Sequence, residues 1–242
     1  DLEGKASTKE LLTGLHACAL AVSPDGKHVV CANAGSDHLS LIDVAKEEVI
    51  ETVWAKSKPS DLFGAQPNAL AFDPSGKQLF VANGSHNAVA IFHFDPEEKG
   101  DTRLEGFVPV GWFPGAVAYD AKRKSLCAAN IKGLPLAPKK RGDTEGFNSH
   151  HYHGSVSIFP IPKKEELPLL SERVAKNMRR GAIAQAALPP RPDQPARAIP
   201  ERIGEPSKIK HVVYIIKENR TYDQVFGDIK KGRGRPELCI FG

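Results

Sequence analysis

Residues 19–33 read ALAVSPDGKHVVCAN, residues 69–83 read ALAFDPSGKQLFVAN, and residues 116–130 read AVAYDAKRKSLCAAN. The offsets between these stretches are 50 and 47 residues. Each begins with a short apolar run suited to a buried inner strand. In the first two, Pro24-Asp25-Gly26 and Pro74-Ser75-Gly76 follow. Proline presets φ and glycine accepts a positive φ, so both triplets are turns. A second β-rich run then ends at Asn33, Asn83 and Asn130. A period of about 40–50 residues built from short strands is the pattern of β-propeller blades.

Working outward, residues 38–44 (HLSLIDV) alternate apolar and polar side chains, and residues 88–94 are their counterpart in the second repeat. Residues 48–53 read as an outer strand, with polar side chains interleaved as an exposed edge requires. Four strands per repeat predict a mainly β chain holding about three four-stranded blades of a partial β-propeller over residues 1–162. The third repeat departs from the pattern. Asp120-Ala121-Lys122-Arg123 replaces the Pro-x-Gly turn, and residues 131–154 are inserted before a strand-like run at 155–161.

Four cysteines occur, Cys18, Cys31, Cys127 and Cys239, and none is in a CxxC pair. A zinc ribbon or thioredoxin-type motif is therefore unsupported. If Val22 faces Lys27 across the first turn, Cys18 faces Cys31. Two buried free thiols are the expected state there, and a cross-strand disulfide in an oxidising compartment is the alternative.

These repeats resemble the YVTN-type, lactonase-like family of seven-bladed propellers. The residues that carry the resemblance are the Pro-Asp-Gly-Lys turn and the endings VCAN, FVAN and CAAN, and it covers about residues 15–162. It implies a fold and leaves function open, because such propellers serve many roles. A lactonase-type enzyme is unsupported, since the repeats show no convergent acidic metal ligands. Three blades cannot close a ring, so further blades or an oligomer are expected to complete it.

The chain's 242 residues are 40% hydrophobic, enough for a sizeable core, and Gly and Pro together are 40 of them, which implies many turns. No apolar run approaches the ~18 residues of a membrane helix, so no membrane span is expected. Residues 1–130 carry 12 Lys/Arg against 17 Asp/Glu, and residues 131–242 carry 21 against 12. The basic residues are scattered without an aromatic stripe, so no nucleic-acid partner is expected. The run Lys230-Lys231-Gly232-Arg233-Gly234-Arg235 reads as a solvated loop.

Beyond residue 162 the character changes. Leu167, Leu170, Val174 and Met178 recur at helical spacing, which predicts an amphipathic helix over 169–180, ended by Gly181, within a helical segment 163–187. Residues 188–207 form a Pro-rich linker, expected to be extended and outside any core. Residues 211–216 are a continuous β-branched apolar run, expected to be a buried parallel strand. Glu218, Asn219 and Arg220 follow, and Thr221 is placed to cap a helix over 222–229. Strand, polar turn and helix make the first unit of an α/β domain over residues 208–242, and ligands bind at the carboxyl ends of such strands. Glu218 and Asn219 stand there and offer oxygen ligands for a divalent cation.

This segment resembles the start of the phosphoesterase family of the alkaline-phosphatase superfamily. The match is Glu218-Asn219-Arg220-Thr221-Tyr222-Asp223 with Phe226-Gly227. The resemblance implies a bacterial secreted or periplasmic phosphatase or phospholipase C-like enzyme acting on a phosphate ester. It assigns Glu218 and Asn219 as ligands of a divalent metal ion. The propeller in front would serve binding to a protein or surface partner. In the resembling family the nucleophile and remaining acidic ligands lie further along, so this chain reads as a fragment cut at both ends, inactive alone. Thr221 reads as a helix cap and not as the nucleophile. Arg220 reads equally as a phosphate contact or a structural ion pair. The alternative is a non-enzymatic, surface-layer-like binding module with a degenerate C-terminal domain. A second metal candidate is His150, His151 and His153, for which a polar surface loop is the competing reading.

Overall fold

The computed structural model describes residues 9–132, 153–216, 218–232 and 234–241. The chain divides between Ala182 and Ile183 into two compact units. The first unit contains three antiparallel sheets. One runs in the order β1 (Ala17–Val22), β2 (His28–Asn33), β3 (His38–Asp43) and β4 (Glu48–Trp54). The next is β5 (Pro67–Phe72), β6 (Gln78–Asn83), β7 (Ala88–His93) and β8 (Arg103–Pro109). The third is β9 (Trp112–Asp120), β10 (Ser125–Lys132) and β11 (Ser155–Pro160), three strands among the described residues where four were expected. Sequential neighbours pair throughout, as in propeller blades. The helices are α1 (Leu167–Asn177), α2 (Arg180–Ala186) and α3 (Tyr222–Phe226).

The turns form for the reasons legible in the repeats. Gly26 and Gly76 take φ of 73° and 72°, values that a side chain resists. In the third blade the missing glycine is replaced by two devices. Asp120 accepts hydrogen bonds from the backbone N–H groups of Lys122 and Arg123, both at 3.0 Å, and Lys124 takes the left-handed φ of 49°.

The first hairpin turn is longer than a Val22–Lys27 pairing requires. The Ser23 N–H donates to the His28 carbonyl at 2.9 Å, so Val22 pairs with Val29 and Leu20 with Cys31. A bulge between Ala17 and Ala19 leaves Cys18 out of the regular register. Cys18 therefore does not face Cys31, and both are free thiols. Cys18 is exposed rather than buried, and its Sγ donates to the Pro67 carbonyl of the next blade at 3.2 Å. Burial pushes the Cys31 thiol pKa up. An Ellman titration of the denatured chain should count all four thiols without prior reduction. Thiols that appear only after reduction would sink this assignment.

The core lies between blades. The face of blade 1 that carries Val30, Leu39 and Leu41 packs against the blade 2 residues Leu79, Val81, Ala90 and Phe92. The other face of blade 2, with Phe80, Val89 and Ile91, packs against Leu126 and Ala128 of blade 3. Both faces of the central blade are therefore covered. This explains the burial of all of β7 except His93.

Helix α1 runs over 167–177 rather than 169–180, and Gly181 does not end it. Its C-terminal turn closes at Met178, and Arg179 takes φ of 55°. Leu167 and Val174 are buried, with Leu170 and Met178 packed beside them, so the predicted stripe is the buried one. The helix lies on β8, whose edge is satisfied from outside the sheet: the Phe107 N–H donates to Ser171 Oγ at 2.9 Å.

In the second unit the Pro-rich stretch folds back on itself instead of extending. Arg191 donates from Nε to Glu205 Oε1 at 2.7 Å and from Nη2 to Glu201 at 2.9 Å, and Arg197 forms a parallel bridge to Ser207. The Arg191 guanidinium holds the Glu205 carboxyl down at about 2. Residues 211–216 do not form the expected strand. A buried parallel strand needs hydrogen-bonded neighbours and covered faces. Among the described residues no strand pairs with the run, and Val212, Val213, Tyr214, Ile215 and Ile216 are 69–85% exposed.

Among the described residues, no helix is long and apolar enough to cross a membrane.

Candidate functional site

Glu218 and Asn219 sit just before α3, both exposed. Asn219 takes φ of 59°, a left-handed conformation that asparagine tolerates better than most residues. This sharp bend precedes the helix cap. Thr221 Oγ1 accepts from the Gln224 N–H at 3.3 Å, and Gln224 Oε1 accepts from the Thr221 N–H at 3.0 Å. The two bonds form a reciprocal capping box. The helix is shorter than expected, ending at Phe226 because Gly227 closes it by donating to the Asp223 carbonyl at 3.0 Å.

The rest of the segment is tied to that helix. Asp223 Oδ1 accepts from the Arg235 N–H at 3.0 Å. The Gln224 carbonyl accepts from the N–H groups of Ile240 and Phe241 at 2.9 and 3.0 Å. Arg220 donates to the Asn219 carbonyl at 2.7 Å and its guanidinium lies 5.1 Å from the Phe241 ring centroid. Arg220 thus makes no carboxylate ion pair among the described contacts and holds the bend by a local hydrogen bond and a cation–π contact.

As metal ligands, Glu218 and Asn219 supply one carboxylate and one amide oxygen, donors suited to a hard divalent cation. Two donors do not complete a coordination shell, which for such cations holds about six oxygens. Among the described residues, no group of three or more His, Cys, Asp or Glu is arranged to hold a metal ion. Of the second candidate set, His150 and His151 lie outside the described residues, and His153 is exposed.

The propeller carries polar features that motif reading passed over. Asp37, almost fully buried, accepts hydrogen bonds from the N–H groups of Gly64, Ala65 and Gln66 at 2.8, 2.8 and 3.1 Å. It fastens the chain that enters blade 2. Asn87, its counterpart, accepts from the Phe113 N–H at 2.9 Å and does the same for blade 3. Both take left-handed φ, 57° and 52°. The repeated asparagines are buried too. Asn33 donates to Ser40, Asn83 to the Ala55 carbonyl, and Asn130 to Ser155 and Ser157. The recurrence of Asn at the end of each quoted repeat was the visible signal of this role.

Beside them lies a partly buried charged cluster. The Lys56 ammonium donates to the Asp61 carbonyl at 2.8 Å and stands 4.8 and 4.6 Å from the Trp54 and Phe63 ring centroids. Asp61 pairs with Arg180 at 3.0 Å. His86, 2% exposed, packs edge-on against Phe107, and its Nδ1 has no hydrogen-bond partner. Burial, reinforced by the Arg180 charge, depresses its pKa to about 4. A cleft of about 240 Å³ opens at the other end of the strands, between the turn after β1 and the loop after β7, lined by Asp25, His28, Lys77, His93, Asp95 and Glu97.

Two covered interfaces between consecutive antiparallel blades define a β-propeller domain. Residues 4–112 match the family described as Lactonase, 7-bladed beta-propeller. No curated protein sequence matches the chain. Many solved structures are similar to it, three of them as follows. Hydrazine synthase of Kuenenia stuttgartiensis aligns at 21% identity over 54% of this chain and 33% of that one, with a TM-score of 0.41. A candidate 6-phosphogluconolactonase of Bacteroides uniformis aligns at 25% identity over 46% and 32%, with a TM-score of 0.41. One from Bacteroides fragilis aligns at 25% identity over 46% and 31%, with a TM-score of 0.40. The chain spans about a third of the length of these structures.

Proposed function

We propose that this chain supplies the propeller and the first two metal ligands of a secreted or periplasmic, metal-dependent phosphoesterase. Glu218 and Asn219 are the ligands in this reading, and the nucleophile and remaining ligands come from residues outside this chain. The observation that carries it is the bend at Asn219 followed by the Thr221–Gln224 capping box, within a sequence that resembles the phosphoesterase motif. The bend and the cap leave the Glu218 and Asn219 side chains exposed and free of helix-capping duty. A divalent metal bound there would polarise phosphoryl oxygens. The propeller would serve substrate binding or placement at a surface.

The test is hydrolysis of p-nitrophenyl phosphate by the full gene product in the presence of Mn²⁺, Zn²⁺ or Ca²⁺. The reading expects metal-dependent turnover that falls at least about tenfold in Glu218→Ala and Asn219→Ala. It also expects no turnover by the 242-residue chain alone. Turnover that survives both substitutions, or none in the full product, removes the reading.

A second reading, a non-enzymatic binding module, is favoured by one observation. Leu12, Leu15, Leu62 and Phe63, on the segments that lead into β1 and β5, and Trp112, at the start of β9, are all exposed. These positions share one end of the blades, where a partner would meet several apolar side chains at once.

A further inference from the structure

The cleft at the turn end of blades 1 and 2 has no part in either reading above. Every residue that lines it comes from one of these two blades. Its frame is firmly held. Pro24 of the first turn lies so close to Gly76 of the second that a Cβ added at Gly76 would stand 3.2 Å from Pro24 Cδ. Behind the turns the His28 ring meets Phe94 edge-on, with centroids 6.2 Å apart, and Phe94 meets Phe72 at 4.9 Å. The lining is unbalanced in charge, since Asp25, Asp95 and Glu97 stand against one ammonium, Lys77. Asp25 accepts from the Ser23 hydroxyl at 2.6 Å and from the Lys27 N–H at 3.1 Å, and these bonds hold its pKa below the ordinary carboxylate value. The Asp95 and Glu97 carboxylates form no hydrogen bond or ion pair among the described residues.

A second, independent observation points to a ligand. His28 lines the same cleft and is 6% exposed, yet its ring nitrogens make no hydrogen bond among the described residues. A buried imidazole without a partner carries a desolvation cost that a donor from a ligand would offset. We propose that this cleft binds a small organic diamine. Its two ammonium groups match the excess of two carboxylates, and His28 accepts a hydrogen bond from one of them. Pro24, Phe94 and Pro96 offer an apolar wall to the methylene chain between the ammonium groups. The cleft holds about 240 Å³, below the ~300–1,000 Å³ of pockets for drug-sized ligands, which suits a molecule this small. A bare metal ion is the poorer match, because among the described residues no group of three or more His, Cys, Asp or Glu is arranged to hold one. The inference is independent of the role of Glu218 and Asn219.

The experiment is a titration of the 242-residue chain with 1,4-diaminobutane at constant pH, followed by the imidazole proton resonances of His28 and His93. Both resonances are expected to move and to saturate together. 1,4-Butanediol, of the same length and without charge, should move neither. Asp95→Asn/Glu97→Gln removes two of the three carboxylates and should raise the dissociation constant at least about tenfold, as the loss of charge-assisted hydrogen bonds implies. Glu165→Gln/Glu172→Gln removes the same charge from exposed positions elsewhere and should leave the affinity unchanged. All four substituted side chains are at least partly exposed, so both variants should keep the wild-type far-UV spectrum. No saturable shift, an equal shift with the diol, or equal affinity in wild type and Asp95→Asn/Glu97→Gln overturns the proposal.

Discussion

Phe92→Ala should lower the unfolding free energy of the propeller by roughly 3–5 kcal/mol, the usual cost of truncating a buried phenylalanine. Phe92 is 0% exposed and belongs to the cluster that joins blades 1 and 2, along with Leu41, Leu79, Phe94 and Phe107. Its removal withdraws atoms from both sheets at once. The surrounding strands are hydrogen-bonded on both edges, so they relax little into the cavity. Phe63→Ala is the matched control. Phe63 is exposed, and its cation–π contact with Lys56 is worth about 0.5–1 kcal/mol. Urea melts followed by far-UV circular dichroism measure both. Equal losses for the two variants would mean that the interface between blades does not carry the core.

Acid should destabilise the propeller through His86. Its pKa is depressed from 6.5 to about 4 by burial first and the Arg180 charge second. Lys56 adds to the depression, and Asp37 and Asp61 oppose it. Because the folded state prefers neutral His86, the stabilisation is complete above the unfolded value of 6.5. It is lost as pH falls from there through about 4. The shift corresponds to roughly 3 kcal/mol across that window. Wild type should lose that much more stability between pH 7 and 4 than His86→Gln, which cannot titrate. Parallel pH profiles for the two proteins would remove His86 as the cause.

The blades were legible because each blade's signals are local. A Pro-x-Gly turn, an alternating run and an Asn at fixed spacing need only short-range chemistry to form a hairpin. Residues 88–94 and 48–53 were readable as strands for the same reason. Strand β8 was missed because its sequence, RLEGFVP, has no clean alternation. It is a strand because β7 pairs with it and α1 covers its edge. The register of Cys18 was misread because the turn length and the bulge at Ala17–Ala19 depend on hydrogen bonds that no spacing rule specifies. At the candidate site, Thr221 was readable as a cap from its own chemistry, and the structure closes the box through Gln224. The left-handed bend at Asn219 carries no sequence mark beyond the residue's tolerance for it.

The sequence by itself determined the repeat, the turns, the helix stripe from Leu167 to Met178 and the cap at Thr221. Each rests on interactions within a few residues, which residue type largely decides. Only the tertiary structure decided burial and pairing. Ile91 and Ile158 occupy the same place in their blades, yet one is buried and the other exposed, because only one has a blade packed on it. Residues 211–216 have the composition of a buried strand and remain exposed, because a strand is defined by its neighbours rather than by its own side chains. The Pro-rich stretch, extended by composition, is folded back by Arg191 on Glu205, a contact 14 residues apart.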